Sequence, residues 1–163
     1  MDIRELDPVK DRTAVESLLT EAQDYYHLWK GMAPGEEEID DFLAGGPPNY
    51  DVERSHRLGL YLDGRLSGVA ELSFGFPEAG NAYLGLMILA PRARSSGNGQ
   101  AFLAHVEALA KAGQSPMLYL AVLEKNQRGR AFWDRMGFVP TGIMRETVEN
   151  GIPHRVYRLV KTF

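Results

Sequence analysis

The sequence predicts an α/β (α+β) fold: a mixed, mostly antiparallel seven-stranded sheet, with a parallel β-α-β crossover at its centre and helices on both faces. Three observations carry this expectation. Two apolar runs, Ala82–Leu89 (AYLGLMIL) and Met117–Leu123 (MLYLAVL), read as strands covered on both sides. Between them, Gly99–Ala112 places Phe102, Leu103, Val106, Leu109 and Ala110 on one helical face, so a right-handed crossover joins two parallel strands. The other neighbouring strands are joined by tight turns, at Asp63-Gly64-Arg65 and Glu149-Asn150-Gly151, and so run antiparallel.

The elements follow in order. Residues 2–6 (DIREL) form a short strand. From Asp11, the spacing of Val15, Leu18, Leu19, Ala22, Tyr26 and Trp29 makes one apolar helical face. Pro34-Gly35 breaks the chain, and Glu36–Leu43 forms a second helix with its acids near the positive N-terminal end. Gly45-Gly46-Pro47-Pro48-Asn49 is a loop. Arg57–Leu62 and Leu66–Phe74 pair as a hairpin, and Phe76–Asn81 turns the chain into the first buried strand. Pro91 ends that strand. After the second buried strand comes a short helix, Gln127–Met136, with Gly137 just past its end. Phe138–Val148 and Pro153–Val160 close the sheet as a hairpin.

Composition narrows the functional classes. The 163 residues are 44% apolar, enough to bury the core of one domain spanning 1–163. With 18 Lys+Arg against 22 Asp+Glu, the net charge of -4 argues against a nucleic-acid binder. The absence of cysteine excludes disulfides, thiolate metal sites and a thiol nucleophile. His27, His56, His105 and His154 are scattered without metal-ligand spacing, so no metal is expected. No apolar run is long enough to cross a membrane, and the charged start (MDIRE) does not resemble a targeting segment. The expected location is the cytoplasm.

The chemistry concentrates in Leu86–Gln100 (LMILAPRARSSGNGQ). A buried strand runs into a loop with Arg94, Ser95, Ser96, Gly97, Asn98 and Gly99, and a helix then begins at about Gln100. The first helical turn presents unpartnered N–H groups at the positive end of its dipole. Glycines let the backbone approach a ligand, and Ser, Asn and Arg add donors and charge, so the segment reads as a phosphate cradle. It matches neither Gly-x-Gly-x-x-Gly nor Gly-x-x-x-x-Gly-Lys-Ser/Thr. A second segment, Asn126–Phe138 (NQRGRAFWDRMGF), opens on an N-cap residue and places Phe132 and Met136 at i, i+4. Both loops lie beyond the carboxyl ends of neighbouring parallel strands, where open sheets bind ligands.

Together the two segments resemble the GNAT superfamily of N-acetyltransferases. The family's Arg/Gln-x-x-Gly-x-Gly/Ala corresponds to Arg94-Ser95-Ser96-Gly97-Asn98-Gly99. Its later Asn, aromatic helix and Gly-Phe correspond to Asn126, Phe132-Trp133 and Gly137-Phe138. The element order agrees over essentially the whole chain. The resemblance implies acetyl-CoA as co-substrate. Met87, Ile88 and Leu89 would offer backbone groups to the pantetheine arm, and Ser95–Gln100 would hold the pyrophosphate. Asn126 would bond the pantetheine side and Phe132 would pack on it. An amine of a small molecule or peptide would attack the thioester directly, with a backbone N–H near Leu89 polarising its carbonyl. Arg128 and Arg130 could reach the 3′-phosphate.

The sequence departs from the family pattern in three places, the first a pair of residues. Ser95 and Ser96 stand where many members carry Gly and Lys/Arg. Trp133 stands where many carry a Tyr that protonates the leaving thiolate. Ala121 stands where some carry a Glu base. The candidates for the missing proton transfers are Glu71, which interrupts the apolar run Val69–Phe74, and Tyr119, which shares a strand face with Ala121. Tyr25, Tyr26 and Trp29, at the end of the first helix, and Tyr83 are the candidate acceptor-binding residues; Glu36–Glu38 and Asp40-Asp41 could attract a cation. The alternative reading is a CoA-binding module of this fold without turnover. The edge of the last hairpin could pair two subunits as a homodimer.

Overall fold

The computed structural model describes residues 1–163. The chain runs β1 (Asp2–Glu5), α1 (Arg12–Glu21), α2 (Gln23–Lys30), α3 (Glu36–Ala44), β2 (His56–Leu62), β3 (Arg65–Phe74), β4 (Ala82–Leu89), α4 (Asn98–Ala112), β5 (Met117–Leu123), α5 (Gln127–Arg135), β6 (Val139–Glu149) and β7 (Ile152–Thr162). The seven strands form one sheet in the order β1-β2-β3-β4-β5-β7-β6. Only β4 and β5 pair in parallel; the other neighbours are antiparallel. This is the architecture expected from the sequence, with one correction. The apolar face from Val15 to Trp29 belongs to two helices, because the chain turns at Ala22 and begins again at Gln23. Ala22 is fully buried, so the turn keeps the spacing apolar while re-aiming α2.

Each sheet face carries its own core. On one face α4 and α5 cover the strands, with Phe102, Leu103, Val106 and Trp133 packed on Leu60, Leu72, Leu84 and Leu120. On the other, α1, α2 and α3 bring Val15, Leu18, Tyr26 and Phe42 onto Val69 and Ile88. These are the two layers that strands apolar on both sides require.

β4 changes face midway. Opposite β3, Glu71 pairs with Leu86 and Leu72 with Leu84, so Gly85 is the extra residue of a β-bulge. Before it, Ala82 and Leu84 join the α4 core; after it, Met87 and Leu89 do. The bulge falls where β4 leaves β5: their ladder holds Ala82 to Leu118, Tyr83 to Tyr119 and Leu84 to Leu120, and then ends. Beyond that point the two strands part.

Candidate active site

The gap left by this parting is lined by backbone. Ala90 donates its N–H to the Ser67 carbonyl of β3 at 2.9 Å. Because backbone polar groups alternate along a strand, Ile88 also points to β3, while Met87 and Leu89 turn their N–H and C=O toward the gap. Those groups have no β5 partner. The Leu89 carbonyl accepts from Arg94 Nε at 3.0 Å.

At one end of the gap is the glycine loop. Gly97 has φ 82° and Ser95 φ 64°, so both adopt the left-handed conformation. A Cβ on Gly97 would meet open space, so its constraint is conformational rather than steric. The first bond of α4 runs from Ala101 N–H to the Gly97 carbonyl, and no protein acceptor takes the N–H groups of Ser95, Ser96 or Gly97. Those of Asn98, Gly99 and Gln100 are the free donors of the helix's first turn. The result is a run of bare amides at a helix N-terminus, suited to a diphosphate. The loop is braced from behind: Asn98 Nδ2 donates to the Ala93 carbonyl at 3.0 Å and Ser96 Oγ to the Arg94 carbonyl at 3.2 Å. Gly99 lies under the Phe132 ring, which a Cβ there would meet at 3.2 Å.

Arg94 sits in this loop but its guanidinium is engaged, forming bonds of 2.6 and 3.0 Å to the two carboxylate oxygens of Asp24 in the first turn of α2. The pair holds Asp24 below the usual carboxylate range. Arg94 thus ties α2 to the loop and to Leu89. Arg128 lines a polar cavity of about 600 Å³ beside Arg94 and Ser95. Arg130 instead lies over the Tyr157 ring and donates to the Glu124 carbonyl.

Asn126 caps α5: its Oδ1 accepts from the Gly129 N–H at 2.9 Å. A Cβ on Gly129 would overlap the Asn126 amide, so this cap depends on a glycine whose role the sequence reading did not single out. Trp133 is buried, edge-on to Phe132 at 4.9 Å and Phe138 at 5.4 Å. Its indole is a core group.

On the α1–α3 face, an open cavity of about 510 Å³ lies over the parting strands. Glu71, Tyr83, Gly85 and Ala121 form its floor; Asp41 and the Gly45–Pro48 loop form one rim. Glu71 is buried, its carboxylate 3.3 Å from Ser73 Oγ and 3.7 Å from the Arg57 guanidinium. Burial pushes its pKa up, and Arg57 and Ser73 only partly oppose that, so desolvation wins. Arg57 also holds the rim, donating from Nε to the Phe42 carbonyl at 2.6 Å and from its second arm to the Gly45 carbonyl.

The other candidates are divided. Tyr83 lines the cavity, edge-on to Phe76 at 4.8 Å. Tyr25 stacks on Trp29 at 6.4 Å, and burial pushes its hydroxyl up to about 12. Tyr26 is 3% exposed and belongs to the core, not to the cavity wall. Trp29 packs partly against that core and its carbonyl accepts from His154 Nε2. Tyr119 is half-buried opposite Tyr83 and does not line the cavity. Within the acidic run, Glu38 is buried, bonded to Lys30 and to the Gly35 N–H, and so caps α3. The sequence reading missed Arg57, Gly85, Arg145 and Arg158; only Gly85, a glycine inside an apolar strand, carried a local signal. Asp41, named there as able to attract a cation, does line the cavity rim. No group of three or more His, Asp or Glu side chains could hold a metal ion, and no helix is long and apolar enough to cross a membrane.

A sheet parted between its two parallel strands, with bare amides at one end of the opening and a buried carboxylate beside it, defines an acyltransferase-like architecture. The model of the acetyltransferase (GNAT) family matches residues 15–138, and the chain belongs to that family. No curated protein matches it significantly in sequence. Among solved structures, an acetyltransferase from Thermus thermophilus superposes with a TM-score of 0.75 at 22% identity, covering 99% of this chain and 96% of that one. A ribosomal-protein-alanine N-acetyltransferase from Brucella melitensis gives 0.76 at 19% identity, with both chains covered fully (100%). A PaiA N-acetyltransferase from Thermoplasma acidophilum, in complex with coenzyme A, gives 0.66 at 19% identity, covering 99% and 98%.

Proposed function

We propose that this chain, as a single domain of residues 1–163, transfers an acetyl group from acetyl-CoA to the amine of a small molecule or peptide. The observation that carries the reading is the parting of β4 from β5 after Leu84 and Leu120, with the Met87 and Leu89 backbone turned into the gap. Acetyl-CoA supplies an activated acyl thioester. The free amides of Ser95–Gln100 suit its diphosphate, the Met87–Leu89 edge suits its amide-bearing arm, and Asn126 and Phe132 flank the gap from α5. Arg94 acts as the brace between loop and α2, and Arg128 is the free charge for a further phosphate.

In the reaction a new C–N bond forms as the C–S bond breaks. Glu71, with its raised proton affinity, takes the proton from the attacking amine directly or through water. The Leu89 N–H polarises the acyl carbonyl. The departing sulfur takes its proton from water, or through water from Tyr119, which shares a strand face with Ala121 although it does not line the cavity. Tyr25, Trp29 and Tyr83 border the acceptor. The reading places the chain in the cytoplasm, and the exposed outer edge of β6 would pair the chains of a homodimer.

Acetyl-CoA is expected to raise the melting temperature, because a ligand selective for the folded state stabilises it. Free thiol should then appear with a subset of an amine panel. No stabilisation at millimolar acetyl-CoA defeats the reading. Trp133 and Ala121 motivate a second one, a CoA-binding module without turnover: it predicts stabilisation by CoA with no thiol release from any amine. Comparing acetyl-CoA with succinyl-CoA tests transfer of longer acyl groups.

A further inference from the structure

The cavity beside Glu71 has walls of opposite charge. Glu71 and Asp41 lie toward β3 and α3, while Arg145 and Arg158 line the side formed by β6 and β7. Neither arginine has a carboxylate within ion-pair distance, although neighbouring cations do: Arg155 pairs with Glu146 and Lys161 with Glu107. In a chain of net charge -4, two unneutralised guanidiniums facing one cavity stand out against the background.

Their placement is specific. Arg158 is opposite Ala121 on β5, and Arg145 is opposite Val156 on β7. The two arginines are therefore diagonal neighbours across β6 and β7, and both line the same cavity, so both forks can reach one anion. Arg158 is steadied by the Phe76 ring, 5.1 Å from its guanidinium carbon. Both charges reach the floor, where they pull the Tyr83 hydroxyl down against the burial that raises it. Ile143 and Val156 supply apolar surface between the charged groups.

We propose that the acceptor is an amine that also bears a carboxylate, of the α-amino acid class, with Arg145 and Arg158 binding the carboxylate while the amine faces Glu71. This rests on the acetyl-transfer reading. Planar guanidinium forks bind carboxylates through paired, charge-assisted bonds, and they repel a diamine or polyamine from the same wall.

The test is thiol release from acetyl-CoA with each standard amino acid and its own carboxamide as acceptor. At least one acid should exceed its amide about tenfold in kcat/KM, as loss of a charge-assisted pair implies. Arg145→Gln and Arg158→Gln should each collapse that ratio, chiefly by raising KM for the acid, with far-UV circular dichroism confirming the fold. A second measurement needs no turnover: calorimetric binding of the N-acetyl amino acids and their amides to the CoA-loaded protein, where the acid should again be preferred. Equal use of acid and amide, preference for polyamines, or failure of every amino acid and every N-acetyl derivative overturns the assignment. Acetyl transfer to other amines in those cases leaves the function standing; absence of any acetyl-CoA stabilisation defeats the function itself.

Discussion

The Glu71 carboxyl group lies directly over the α-carbon of Gly85, so close that a Cβ there would stand 2.9 Å from its carboxyl carbon. The bulge residue of β4 and the only buried acid on the cavity floor thus occupy one another's space. Glu71 cannot easily retreat, because Ser73 and Arg57 hold it from the other side. Gly85→Ala should cost about 1–3 kcal/mol, the range for overpacking a filled site. Urea unfolding measures it. Coupling to Glu71 is the sharper check: on a Glu71→Ala background the same change should cost less than half as much.

Glu71→Gln should lower kcat/KM about 100- to 10,000-fold, the usual contribution of a positioned base. Burial raises the Glu71 pKa above its ordinary 4.5, so the working carboxylate appears only as pH climbs through that raised value. The wild-type rate should therefore rise with pH on the alkaline side of 4.5, and this limb should vanish in the variant. Stability has the opposite sign: the folded state holds the proton more tightly, so stability falls as pH rises through the same interval. Denaturation series across pH should show that decline flattened in Glu71→Gln. An unchanged decline would assign it to another group.

Gly97→Trp meets no neighbour at its Cβ, so crowding is not what it tests. Holding a non-glycine residue at φ 82° should cost about 1–2 kcal/mol. Relaxation of that turn, with an indole beside the bare amides, should abolish stabilisation by acetyl-CoA in a thermal melt. A full-sized ligand shift in this variant would place the coenzyme elsewhere.

Trp133→Ala should cost about 3–5 kcal/mol, as expected for emptying a buried aromatic site. Asn126→Ala should cost about 1 kcal/mol through loss of the α5 cap. Chemical denaturation measures both. The two should differ with ligand: Asn126 borders the gap and its loss should also weaken acetyl-CoA binding, whereas Trp133 faces the core and its loss should act on stability alone.

Much of this architecture was legible from local pattern. Apolar runs at 82–89 and 117–123 marked strands buried on both faces, and the amphipathic stretch between them forced a parallel crossover. Asn150-Gly151 takes the positive φ values of a tight hairpin, as those residue types prefer. Glycine and small polar residues ahead of α4 marked an exposed helix start, because bare amides need no distant partner to exist. Glu71 could be suspected, since strand alternation put it on the face opposite Leu72 and Phe74.

What local pattern could not reveal was which groups meet. Helical spacing is the same on either side of Ala22, so only packing of two helices on a twisted sheet exposes the break. Glu38 reads as a solvated acid until Lys30 and the Gly35 amide close around it. Arg94 reads as a ligand for phosphate until Asp24, 70 residues earlier in the chain, takes its guanidinium. Arg145 and Arg158 reach the same cavity as Glu71 only because β7 pairs with β5 and β6 with β7. Backbone preference and hydrophobic period act over a few residues and are written in the chain; charge pairing and cavity walls depend on distances that exist only once the sheet has closed.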